Sequence, residues 1–193
     1  SINFGYDMTI GINPYPPNGW FFHQNCTCEN ISYRFDLRSV IRHELLHGLI
    51  LASSIRRDTF GWKVGYFFQN NPDKCYPRLY DTKIVNENGE KIVNGCNVTD
   101  IDNSELSING IPLYHPTTYR AGSSLSHHNM YKNLMYYSMP ARMCLDIGEY
   151  EVKLLEAMNI SCNLSYTLCH SNAIKKTVSI AMYLTITTLL FLF

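Results

Sequence analysis

Apolar residues recur at helical spacing over residues 36–54. Ile41, Leu45, Leu49 and Ala52 form one stripe, and Val40, Leu46, Ile50 and Leu51 fill much of the remaining surface. The spacing predicts a helix, and a helix apolar nearly all round is expected in the middle of a domain. Asp36 is placed to cap its start, where a carboxylate also suits the positive end of the helix. A second pattern, with Leu154, Leu155 and Met158 on one face, predicts a helix starting at Asp146, which stands at capping-box spacing from Glu149. Between the two, residues 55–121 read as short strands broken by turns. Asn88-Gly89, between Lys83-Ile84-Val85 and Lys91-Ile92-Val93, predicts a hairpin, and Asn109-Gly110 marks a further turn. Residues 1–35 read as a strand, a loop around Pro14, Pro16, Pro17 and Gly19, and a cysteine-bearing turn. The expected fold class is therefore α+β around one central helix.

The polar residues on that helix carry the chemistry. His43-Glu44-Leu45-Leu46-His47 is an HExxH string. Residues four apart share a helical face, so two imidazoles can meet one tetrahedral Zn²⁺ with a carboxylate beside them. Burying such groups unpaired costs several kcal/mol, on the order of the desolvation penalty, and a metal is one partner that offsets it. The bland alternative is a helix whose histidines only pack and hydrogen-bond.

Two histidines and a water leave zinc one protein ligand short. In the metzincin pattern HExxHxxGxxH the third ligand stands six residues after the second histidine, where this chain has Ser53, a poor ligand, so the candidates are His23, His115, His127, His128 and His170. Gly122-Ser123-Ser124-Leu125-Ser126-His127-His128 stands out, because Asn133-Leu134-Met135-Tyr136-Tyr137 comes within a short loop of it. With the HExxH helix, this run resembles the third-ligand and Met-turn region of leishmanolysin-like metallopeptidases, metzincin-type zincins in which a long insertion precedes the third histidine. Residues 7–13 resemble the strand beside the cleft in that family, and residues 107–116 the segment leading to the third ligand. The resemblance spans most of residues 1–160.

The resemblance implies a zincin-like fold and zinc-dependent hydrolysis of a peptide or protein substrate. It assigns His43, His47 and His127 as metal ligands, with His128 the rival for the third place, and Met135 as the Met-turn methionine. Glu44 becomes the catalytic base that takes a proton from the zinc-bound water, and Tyr137 falls where some metzincins place a tyrosine near the metal. The pattern's glycine falls on Ile50, which puts the turn after the helix in question, because glycine there permits positive φ. A catalytically inactive zincin-like surface binding or adhesion protein is the alternative. A small membrane protein with a disulfide-rich ectodomain and no metal is the third reading.

Composition sharpens the setting. Formal net charge is zero and no Lys/Arg cluster tracks a phosphate backbone, so nucleic acid is not an expected partner. Seven cysteines and N-x-Ser/Thr sequons at Asn25, Asn30, Asn97, Asn159 and Asn163 point to the secretory pathway and an extracellular or cell-surface location. Cys75 with Cys96 and Cys162 with Cys169 are plausible local pairs, and the odd count implies one free thiol or a partner in a missing part of the chain. Lys175 and Lys176 precede the uncharged run Thr177–Phe193, which reads as a GPI signal or a membrane anchor. The expected organisation is a catalytic domain over 1–160, a cysteine-containing linker over 161–176 and the hydrophobic tail over 177–193. The chain begins at Ser1 without a start methionine or a signal peptide, which suggests a trimmed or partial product lacking the family's N-terminal elements.

Overall fold

Asp36 ends a strand and starts a helix in consecutive residues. Strand β1 (Trp20–Phe21) pairs in parallel with β2 (Phe35–Asp36), and the chain passes directly into α1 (Leu37–Leu49). The Asp36 carboxylate accepts the Ser39 N–H at 3.0 Å, capping the helix as its sequence position predicts. The computed structural model describes residues 10–22, 31–68, 71–99, 101–139 and 141–160. Over these residues the protein is a small mixed α/β domain whose strands form separate two-stranded sheets.

The helix is shorter and less buried than its pattern predicts. It ends at Leu49, and only one face, with Ser39, His43 and Leu46, is buried. Leu45 and Leu49 remain 44% and 52% exposed. The physical reason is the turn at the end of the helix. The chain doubles back so that Leu51 N–H reaches the Leu46 carbonyl at 2.9 Å, and Leu51 is itself buried. Ile50 has φ −167°, outside the positive range that favours glycine, so the turn needs no glycine.

The next strands stand as hairpins on that base. β3 (Arg56–Asp58) pairs with β4 (Gly61–Lys63), and β5 (Tyr66–Phe68) with β6 (Asn71–Tyr76). Gly65 has φ +82°, and a Cβ there would lie 2.7 Å from the Tyr76 backbone, so only glycine lets the two strands meet. The Cys75–Cys96 disulfide ties β6 to the turn between β7 (Val93–Asn94) and β8 (Asn97–Val98), as local pairing predicts. The Asn88-Gly89 turn forms, with Val85 bridged to Lys91. Asn109 and Gly110, both at positive φ, make the two-residue connection of β9 (Ser107–Ile108) to β10 (Ile111–Pro112).

Helix α2 spans Glu149–Ala157 and begins later than the Asp146 start its sequence suggests. Asp146 is engaged elsewhere, 3.3 Å from the Arg42 guanidinium, and Gly148 takes the capping position. Leu154, Leu155 and Met158 are buried in one apolar cluster with Leu46, Leu51, Ile84 and Met135. The strand predicted over 7–13 falls partly on residues outside those described, and residues 10–13 join no sheet among the described residues. The hydrophobic tail, the linker, Cys162 and Cys169, and His23 and His170 lie outside the described residues. Among the described residues no helix is long and apolar enough to cross a membrane.

One fully buried carboxylate holds the post-helix segment to the rest. Asp81 opens a short 3-10 turn (Asp81–Lys83) and accepts the Ser53 hydroxyl at 2.7 Å, the Ser54 N–H at 3.1 Å, the Ser54 hydroxyl, and the Arg78 N–H at 3.0 Å. Each buried donor left without an acceptor costs about 1–3 kcal/mol. Asp81→Ala is therefore expected to lower unfolding stability by about 3 kcal/mol or more, read from urea denaturation, with Asp81→Asn losing less. A midpoint unchanged in the alanine variant would contradict this account of the segment.

Candidate metal centre

Three imidazoles from two distant stretches meet at one point. The Nε2 atoms of His43, His47 and His127 form an equilateral triangle, with each pair 3.1 Å apart. His43 and His47 come from successive turns of α1. His127 comes from the 122–128 loop, where Tyr114 N–H bonds to the His127 carbonyl and Leu125 N–H to the Tyr114 carbonyl. Leu125 is fully buried at φ +65°, a conformation costing a non-glycine residue about 1–2 kcal/mol. Its burial and the Tyr114 bond hold it there, and the loop presents His127 as a result.

The tautomers are set by the partners of the other ring nitrogens. His43 Nδ1 lies 2.7 Å from the Leu134 carbonyl, His47 Nδ1 2.6 Å from the Leu51 carbonyl, and His127 Nδ1 2.8 Å from the Ser123 carbonyl. A carbonyl oxygen only accepts, so each Nδ1 carries the proton and donates it. Each Nε2 is then a bare lone pair, and three of them face one another with no hydrogen between them. Burial pushes the His127 ring down to about 3 against the opposing Ser123 bond, and it lowers the His47 ring as well. A proton on the Nε2 of either of these two rings is therefore disfavoured, whereas a cation bound by all three nitrogens offsets the repulsion.

The dimensions suit such an ion. A tetrahedral ion with bonds of about 2.0–2.1 Å to nitrogen separates its ligand atoms by about 3.3 Å, close to the triangle's edge. Fixing Nδ1 on a backbone carbonyl is also the usual means of orienting a metal-binding histidine. Together the three histidines form a group able to hold a metal ion.

His128, the rival for the third place, turns away. Its Nδ1 accepts the Met130 N–H at 3.2 Å, so its Nε2 carries the proton and donates to Glu151 Oε1 at 2.9 Å. Both ring nitrogens are spent. Glu151 is fully buried and also accepts the Met135 N–H at 2.9 Å and the Gly148 N–H at 2.8 Å. Burial alone would raise this carboxyl, but the His128 bond and the two amides outweigh it, and the net direction is down. Ser53, at the pattern's usual third-ligand position, sends its hydroxyl to Asp81 and its N–H to Ser126 Oγ at 3.1 Å. His115 lies elsewhere, 3.3 Å from the Ser104 carbonyl.

Glu44 is half-buried and faces a cleft of about 420 Å³, shared with Ile10, Gly11, Ile12, Trp20, Phe35 and Val40. Among the described residues, Ile10, Gly11 and Ile12 make no backbone hydrogen bond. Tyr137 stacks on Tyr114, with ring centroids 3.8 Å apart, and among the described residues it makes no hydrogen bond or ring contact with the three histidines. Its hydroxyl bonds to Tyr136 and pushes the Tyr136 phenol up to about 12. Met135 is buried, and its carbonyl accepts the His128 N–H at 3.1 Å. Sequence reasoning missed Glu151 and Asp81. The Gly148-x-x-Glu151 spacing was the one available signal for the former. No family model, curated protein or solved structure matches this chain.

An ion bound only by the folded protein stabilises it by about 2.7 kcal/mol at a hundred times its Kd. For a domain of this size that raises Tm by about 5–10 °C. Differential scanning fluorimetry with added Zn²⁺ should show this rise in the wild-type protein and none in His127→Ala. An equal rise in both would remove His127 from the ligand set.

Proposed function

We propose that His43, His47 and His127 hold Zn²⁺ and that the protein is a metalloendopeptidase of the leishmanolysin-like, zincin type. The observation that carries this reading is the triangle of bare Nε2 atoms, with Glu44 next in sequence to one ligand and open to a cleft. A zinc ion supplies Lewis acidity there, acidifying a water and polarising the peptide carbonyl.

The chain's own residues do the rest. Glu44 accepts one proton of the attacking water on its carboxylate as the new carbon–oxygen bond forms. It delivers that proton to the departing amine nitrogen as the carbon–nitrogen bond breaks, which returns the carboxylate to its starting state. The backbone of Ile10–Ile12, unpaired among the described residues, offers an edge on which an extended polypeptide can lie. The apolar walls from Trp20, Phe35 and Val40 exclude water from the neighbouring side chains of that substrate. The Nδ1 bonds to Leu134, Leu51 and Ser123 keep the three rings fixed throughout.

The setting is consistent with work outside the cytosol, since the Cys75–Cys96 disulfide persists in oxidising compartments. Asn97, one of the sequon asparagines, is exposed on β8. Tyr137, placed near the metal by the sequence resemblance, has tyrosine partners and receives no catalytic step here.

Glu44→Gln should retain one zinc per chain and lose kcat/KM on an unstructured protein substrate by about 100-fold or more. Metal analysis beside a chelator-sensitive cleavage assay reads both quantities. Full activity in the variant would exclude Glu44 as the base, and zinc-loaded wild type without cleavage would leave a binding protein.

A further inference from the structure

One peptide group joins a buried carboxylate to a metal-facing histidine. The carbonyl between Leu134 and Met135 accepts the His43 Nδ1–H at 2.7 Å. The N–H of the same peptide, on Met135, donates to Glu151 Oε1 at 2.9 Å. Carboxylate, amide and imidazole therefore stand in series, ending at the bare Nε2 of His43. Glu151 comes from α2, and none of its bonds touches a histidine of the triangle directly.

Charge at one end of such a chain is felt at the other. A carboxylate on a peptide N–H draws that hydrogen and pushes electron density to the carbonyl oxygen, because hydrogen bonds in series polarise one another. A more negative carbonyl holds the Nδ1–H more firmly and makes Nε2 a stronger donor. Metal-binding histidines commonly obtain the same effect from a carboxylate bonded directly to the ring. Here an amide stands between the two. The remaining bonds fix the carboxylate in place, with Gly148 N–H on Oε2 and His128 Nε2–H sharing Oε1. His128 is the residue after His127 in the chain, so the same carboxylate also steadies the loop that carries the third imidazole.

We propose that Glu151 is a positioning residue of the metal centre, raising metal affinity through the Leu134–Met135 peptide and His43. The proposal rests on the metal reading of the three histidines. Gln at this position keeps the size of the side chain, removes the charge, and sets an amide group against a backbone N–H. Leu155→Val on the same helix perturbs the apolar core without touching the relay.

Full-length protein, Glu151→Gln and Leu155→Val are titrated with Co²⁺ and with Zn²⁺ against a chromophoric chelator, and the cobalt visible spectrum is recorded. Glu151→Gln should bind each metal about 10–100-fold more weakly with a shifted cobalt spectrum, whereas Leu155→Val matches wild type. Wild-type affinity and spectrum in Glu151→Gln would overturn the relay, as would equal losses in both variants. Failure of the wild type to bind either metal would remove the metal reading and the relay with it. If Glu151→Gln does not fold, amide NMR of the wild type decides. The Met135 proton should move downfield on Zn²⁺ loading and by more than the Gly148 proton, and no displacement of Met135 would overturn the proposal.

Discussion

Three lone pairs aimed at one point are the constraint on which the rest of this structure depends. His43, His47 and His127 each give their Nδ1 proton to a backbone carbonyl, which leaves three Nε2 atoms 3.1 Å apart with nothing to share. Burial disfavours the alternative of protonating His47 or His127. The arrangement is thus repulsive by itself and complementary to a cation.

The fold supplies the three carbonyls from three places, and each place is fixed by a different device. Leu51 is brought under His47 because α1 stops at Leu49 and the chain doubles back. Ser123 lies in a loop kept in shape by the strained Leu125 and the Tyr114 ladder. Leu134 is held by the Met135 amide on Glu151. Buried carboxylates tie the stretches together: Asp36 at the start of α1, Asp81 behind Ser53 and Ser54, and Glu151 on α2. Through Ser53 and Ser126 the Asp81 cluster also reaches the His127 loop. A donor set spread over 84 residues of sequence is therefore assembled by polar bonds within a small core.

What the sequence revealed was chiefly local. The HExxH spacing, the Asp36 cap, the Asn109-Gly110 turn and the Cys75–Cys96 pairing each depend on residues close together in the chain, where periodicity and turn chemistry apply. His127 was legible from its serine-rich loop and the methionine segment behind it. Its preference over His128 became physical only when Glu151 and Met130 were seen to occupy both nitrogens of His128. The exposure of Leu45 and Leu49 was not legible, because an apolar stripe gives periodicity without saying what covers it. Ile50 was misleading for a related reason, since a missing glycine signals strain only if the turn takes positive φ. Asp81 and Glu151 were invisible because a carboxylate's burial depends on donors far away in the chain.

X-ray absorption at the metal edge of zinc-loaded, full-length protein tests the central claim most directly. The account predicts one zinc per chain with three imidazole nitrogens at about 2.0–2.1 Å and no sulfur neighbour. Folded protein that takes up no zinc, or zinc with cysteine sulfur at about 2.3 Å, would contradict it.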